Sequence, residues 1–221
     1  VYFFYWFFLA KSYEEGDLSR VYPIIRSSPA PVLLFSVLVL DERISFLGGL
    51  GVLLTALGVY SVNLESLSLK ALFEPLRSMW SERSTRYAFL TLFTVTAYSI
   101  IDKLAVGYVH PVIYLFLLSL CGFVFFPPYI MKIRGAAAIG TDWLISKKSI
   151  LLNGVFVFYG YVLILIAFTL APLSYVVGLR QLSIVFAVLL GGHLLQEKHK
   201  VIRLLTASII VAGAILISVA R

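Results

Sequence analysis

Two arginines stand inside apolar stretches of this chain: Arg26 in the run Leu18–Leu40 and Arg180 in the run Pro172–Leu194. Each lies about eight residues into its run, so at about 1.5 Å per residue each is about 12 Å along a helix. That is close to the middle of a bilayer core about 30 Å thick. A guanidinium at such depth costs roughly 2.5–3.5 kcal/mol on insertion scales, and this chain carries the cost twice. Arginine suits one chemistry there above others: it stays charged, and its planar fork grips a carboxylate or phosphate through two parallel hydrogen bonds. Tyr22 and Ser27 flank Arg26, Gln181 follows Arg180, and Tyr98, Asp102 and Asn153 add hydrogen-bonding groups in other apolar runs. These eight residues are the candidate binding set for a small polar or anionic molecule. The plainer alternative is that a fixed partner such as Asp102 neutralises each arginine, which then only holds helices together.

The elements that must position these groups are membrane helices. The chain is 61% hydrophobic and 13% charged, and the charges cluster between seven apolar runs: 18–40, 44–63, 87–107, 111–131, 149–170, 172–194 and 201–219. Seven such runs leave too little polar surface for a soluble core protein, so the expected fold is an all-α, polytopic transmembrane bundle. Val1–Leu9 is apolar but too short to span; it is expected to be the end of a helix that begins outside this sequence, making the chain a fragment. Polar stretches at 64–86 and 132–148 are expected as loops. The first carries Leu69, Leu72, Phe73, Leu76 and Trp80 at helical spacing, which fits an amphipathic segment at the interface. A single Cys121, scattered His110, His193 and His199, and no phosphate-binding loop give no reason to expect a metal, a cofactor or catalysis. The net charge of +7 comes from Lys and Arg beside the spans, where they set topology; nucleic acid is not an expected partner. The expected partners are the lipid bilayer, a small-molecule substrate and a coupling proton or ion.

The chain also repeats itself. Asp17–Asn63 aligns without gaps onto Pro172–Ser218: Leu18-Ser19-Arg20-Val21 falls on Leu173-Ser174-Tyr175-Val176, Asp41-Glu42-Arg43 on Gln196-Glu197-Lys198, and Gly58 on Gly213. Arg26 falls on Gln181, so the two arginines match with a slip of one residue. Counting spans, the first copy enters from the long-loop side and the second from the opposite side. The copies are therefore inverted, the arrangement in which a midplane site opens to either face in turn. Pro23, Pro29 and Pro31 around Arg26 are expected to break the first arginine helix. Such a break is tolerated at membrane depth only against protein or a water-filled cavity. Glu42 and Glu197 are expected to fix the hairpin turns, and Gly48, Gly49, Gly51, Gly58, Gly191 and Gly192 to permit close helix packing.

Each copy resembles the second half of an EamA domain of the drug/metabolite transporter superfamily. The resemblance rests on Gly16-Asp17-Leu18-Ser19, Val21-Tyr22-Pro23, Arg26, Asp41-Glu42-Arg43 and Gly58-Val59. In the second copy it rests on Pro172-Leu173-Ser174-Tyr175-Val176, Leu179-Arg180-Gln181-Leu182-Ser183, Gln196-Glu197-Lys198 and Gly213. It implies a ten-helix protein of two inverted five-helix repeats, of which this chain lacks about the first two helices and part of the third. Residues 1–63 are then the remainder of one repeat, 64–86 a linker and 87–221 the second repeat. The implied activity is secondary transport in the cell (inner) membrane, with an exporter of amphipathic compounds or a non-transporting scaffold or accessory subunit as alternatives. The stretch from Asp17 to Arg26 also resembles a subgroup associated with phosphonate use, which agrees in sign with arginines awaiting an anion. The resemblance puts both termini in the cytoplasm, whereas the Lys and Arg count puts the long loops there and the C-terminus outside.

Overall fold

Hydrocarbon offers the backbone no hydrogen-bond partner, so a spanning chain must satisfy its own N–H and C=O groups. The structure, a computed structural model, describes residues 1–62, 77–79, 81–194 and 200–220, without the side chains of 18–20, 136, 138, 190–194, 200 and 201. Its elements among these residues are all helical. They are α1 (Tyr2–Glu15), α2 (Leu18–Arg26), α3 (Pro29–Leu40), α4 (Phe46–Ser61), α5 (Arg83–Ala105), α6 (Pro111–Arg134), α7 (Ala136–Leu170), α8 (Leu173–Arg180), α9 (Leu182–Leu194) and α10 (Lys200–Val219). Five stretches are long and apolar enough to cross a membrane: Val21–Leu40, Arg83–Ala105, Pro111–Arg134, Ile139–Leu170 and Ile202–Val219. Phe46–Ser61 and Leu173–Leu189 are shorter apolar helices, so each of the seven apolar runs has its helix. This is a polytopic helix bundle. The amphipathic segment expected at Leu69–Trp80, and Glu197 and His199, lie outside the described residues.

Both arginine helices break just after the arginine. Pro23 lies inside α2, Ser27 and Ser28 separate α2 from α3, and α3 starts on Pro29. The second break was not legible, because no proline marks it. There the Gln181 N–H bonds to the Gly178 carbonyl, a tightened turn that ends α8 before α9 resumes. The loop expected at 132–148 is corrected: α6 runs to Arg134, only Gly135 interrupts, and α7 starts at Ala136 with a kink at Ser146 (φ −121°, ψ 16°). Hydropathy marked the stretch as polar, but helix propensity decides the backbone. Ala136–Ala138 are strong helix formers, and Gly135 takes the positive φ of 80° that ends α6. Lys132 and Arg134, in the last turn of α6, complement its dipole.

The chain forms two compact units, one of Val1–Ile101 with Ala171–Arg221 and the other of Asp102–Leu170. In the first unit α4 and α10 lie against each other over most of their length. A Cβ on Gly51 would sit 2.7 Å from the Gly213 carbonyl oxygen, and one on Gly58 3.0 Å from that of Thr206. As the number rises on α4 it falls on α10, so the helices run antiparallel. The repeat register also turns one contact into the other, since it lays Gly51 on Thr206 and Gly58 on Gly213. Equivalent helices of the two copies thus meet through a local two-fold, as an inverted repeat requires. Val59, Val62, Ala207, Ile210, Ile184 and Val188 are buried beside this contact. A second cluster joins Val21, Ile24 and Ile25 of α2 to Ala88 and Leu92 of α5.

The turn after α3 clasps the second copy. Asp41 takes the left-handed conformation (φ 51°), which a short polar side chain tolerates. Both oxygens of the next residue, Glu42, then accept from the Leu173 N–H at 2.8 and 3.0 Å. The carboxylate satisfies an orphan donor at the positive end of α8. The sequence expectation is that Glu42 fixes its own hairpin turn; the bonds observed instead tie that turn to the start of α8 in the other copy. Glu42→Ala removes an acceptor on a charged group, a loss of about 1.5–3 kcal/mol. The variant is expected to melt at lower temperature in detergent than Glu42→Gln, which keeps one acceptor oxygen. Equal melting of the two variants would show that the clasp carries no weight.

Candidate functional site

In the first unit the arginines end short helices: Arg26 is in the last turn of α2 and Arg180 in the last turn of α8. The negative end of a helix dipole favours a cation there, which lowers the cost of depth. Tyr22 sits one turn before Arg26, and its ring centroid lies 5.1 Å from the guanidinium carbon, a cation–π contact. The Ser27 hydroxyl donates to the Ile24 carbonyl at 2.7 Å and so supports the break in the helix. Gln181, at the second break, is only 1% exposed, and its Oε1 has no hydrogen-bond partner. The Ser174 hydroxyl, two turns earlier on α8, is likewise buried and unpartnered. Buried polar atoms are nearly always paired, so these two atoms are exceptions that lie beside and before Arg180.

One residue that sequence reasoning missed lies within electrostatic reach of both arginines. The charges of both Arg26 and Arg180 act on the Tyr5 phenol, and that of Arg26 also acts on Tyr13. Tyr5 packs edge-on against Tyr98 of α5 at 5.3 Å, and Tyr2 stacks on the same ring at 4.7 Å. Phe8, a further turn along α1, stacks on Tyr87 at 6.2 Å. The structure therefore gathers Tyr22, Arg26, Arg180 and Tyr98 around α1. The missed signal was available: Tyr2, Tyr5 and Phe8 recur every third residue, one face of a helix. The stretch Val1–Leu9 read as an apolar remnant because its hydropathy masked its phenols. An acidic cavity of about 540 Å³, lined by Glu14, Glu15, Asp17, Glu82 and Arg83 among others, opens where α1 turns into α2. Carboxylates dominate it, so it is of the wrong sign to bind an anion.

Asp102 and Asn153 belong to the second unit. The Asp102 side chain is fully buried, and its two oxygens accept from different helices: Oδ1 from Tyr114 of α6 at 2.7 Å and Oδ2 from Tyr161 of α7 at 2.5 Å. The Lys103 ammonium donates to the Phe168 carbonyl at 2.5 Å, near the C-terminal end of α7, where its charge meets the helix dipole. Asn153 and Tyr159 are exposed on α7, apart from this cluster. His110, at the N-cap of α6, accepts from the Val112 N–H.

The eight candidate residues thus fall into an arginine–tyrosine group in one unit, a carboxylate–phenol group in the other, and Asn153 apart. No curated protein and no solved structure matches the chain. The sequence profile of the EamA-like transporter family matches residues 1–64 and 85–219, which takes in every helix carrying these groups. Inverted helix pairs that place an arginine at each break are the frame of a membrane transporter, and the chain belongs to the EamA-like transporter family.

Proposed function

We propose that the chain works as a secondary transporter of a small polar or anionic metabolite, by alternating access, in the cell (inner) membrane. The substrate's anionic group is held near the midplane, between the repeats, by Arg26 and Arg180. The observation that carries this reading is the repeated arrangement of an arginine at each helix break, both acting on Tyr5, with the unpartnered Gln181 Oε1 beside one of them. The guanidiniums suit a carboxylate, phosphate or phosphonate. The Gln181 oxygen suits a hydroxyl or ammonium on the same molecule. The Tyr2, Tyr5 and Tyr98 rings favour a second reading, in which the same groups serve amphipathic compounds for export.

Water access tests transport against a dry helix staple. With the exposed Cys121 first replaced by Ser, Arg26→Cys and Arg180→Cys are made separately in that background. A membrane-impermeant thiol reagent is expected to modify both, and an anion that occupies the site is expected to slow the reaction. Complete protection of both cysteines, in protein that remains folded and membrane-inserted, would rule out a hydrated site and leave the scaffold reading.

A further inference from the structure

The second unit holds a feature that the arginine site does not use: a carboxylate withdrawn from water and gripped by two helices at once. We propose that Asp102 is a proton-binding site, and that its protonation releases the tie between the end of α5 and the α6–α7 pair. The geometry carries the argument. One phenol donates to each oxygen, at 2.7 Å from Tyr114 and 2.5 Å from Tyr161, the lengths of charge-assisted O–H···O bonds. Phenols titrate far above neutrality, so both keep their protons, and both bonds have their charge-assisted strength only while Asp102 is a carboxylate. A proton taken from water and added to one oxygen occupies one of its two lone-pair sites and cancels the charge, which leaves that oxygen a poor acceptor while the other remains a carbonyl acceptor. The phenol on it holds a weaker bond, turns round to accept from the new O–H, or leaves. No covalent bond other than the new O–H forms, and the tyrosine protons stay where they are.

The surroundings supply the rest. Asp102 lies three residues before the end of α5 at Ala105, about 5 Å along the helix, and is itself fully buried. Among the groups facing it are the Tyr114 phenol from α6 and the Tyr161 phenol from α7. On its own helix the neighbouring Lys103 reaches the Phe168 carbonyl, and His110 at the start of α6 is exposed. Losing the bond on one oxygen and the charge assistance on the other is a compact way for pH to loosen how α6 and α7 are held to the end of α5. What that release drives rests on the transporter reading; the binding of the proton does not.

The test follows both parts on the whole chain in lipid, without substrate. Infrared spectra are taken from alkaline to acid pH. The wild type is expected to gain a protonated-carboxyl carbonyl band that Asp102→Asn lacks, while Tyr114→Phe and Tyr161→Phe keep the band but change the pH at which it appears. Amide hydrogen exchange at the α5–α6 turn, corrected for its intrinsic pH dependence, is expected to rise several-fold across the same titration. In Asp102→Asn the exchange should not depend on pH. If no band distinguishes wild type from Asp102→Asn while the phenylalanine variants remain folded, the proton does not bind there and the proposal is overturned. A band without the change in exchange overturns the release. Neither result touches the arginine reading, which the cysteine experiment decides separately.

Discussion

Replacing either Arg26 or Arg180 by Met is expected to reduce transport of an anionic substrate to background while leaving membrane insertion intact. Methionine keeps the length and the apolar stem but removes the charge and the fork. Truncating one partner of a buried, hydrogen-bonded charge pair costs about 3 kcal/mol or more, upward of about a hundredfold in affinity. Arg→Lys at the same positions keeps the charge and loses the bidentate geometry, so a loss of about tenfold is expected. The measurement is uptake into proteoliposomes of whichever carboxylate, phosphate or phosphonate the wild type carries. The ordering wild type, Lys, Met at both positions is what a shared anion site demands. Normal transport by both Met variants would make the arginines structural. Failure of both Met variants to accumulate in the membrane would favour the staple, with Tyr22 as the partner of Arg26.

Much of this arrangement was legible in the sequence, for reasons that differ from part to part. The seven apolar runs had to become helices because no other element closes its own hydrogen bonds in lipid. The copy relation was visible as residue identity, and the inversion read from it agrees with the antiparallel run of α4 and α10, although the register does not say that these two helices meet. Glu42 was read as a turn residue, but a turn reading cannot say which distant N–H a carboxylate meets; that depends on the second copy folding back beside the first. The break at Gln181 was hidden because a tightened turn needs no special residue, whereas the proline-marked break at Ser27 was plain. Asp102 was read as a hydrogen-bonding group and a candidate partner for an arginine, yet its phenol partners lie twelve and fifty-nine residues away, beyond any helical spacing. Tyr5 was missed for the opposite reason: its neighbours in sequence are so apolar that the phenol was averaged away.

The fold itself should be most sensitive at Gly213. A Cβ there would stand 2.6 Å from the Gly51 carbonyl oxygen and 2.8 Å from the Thr55 nitrogen, both of them backbone atoms. Backbone cannot swing aside as a side chain can, so Gly213→Val is expected to force α4 and α10 apart. Overpacking usually costs about 1–3 kcal/mol and sometimes more; here the cost should be at or above the top of that range, because the pair is antiparallel over most of its length. Gly58→Val should cost less, since its nearest obstacle is the Ile210 side chain at 2.7 Å, with the Thr206 carbonyl at 3.0 Å. Gly49→Ala is the control: its Cβ would meet only the Ile44 side chain, at an ordinary 3.7 Å. Gly48 separates the two kinds of obstacle. A Cβ there would overlap the hydroxyl end of the Tyr175 side chain, whose oxygen accepts from the Ser45 N–H at 3.2 Å. Gly48→Ala should therefore be destabilising alone and largely rescued by Tyr175→Val, whereas no single side-chain truncation should rescue Gly213→Val. Thermal unfolding in detergent, with recovery of monodisperse protein as the second readout, ranks the series. If Gly213→Val melts with Gly49→Ala, the α4–α10 contact is not where the two copies are held together.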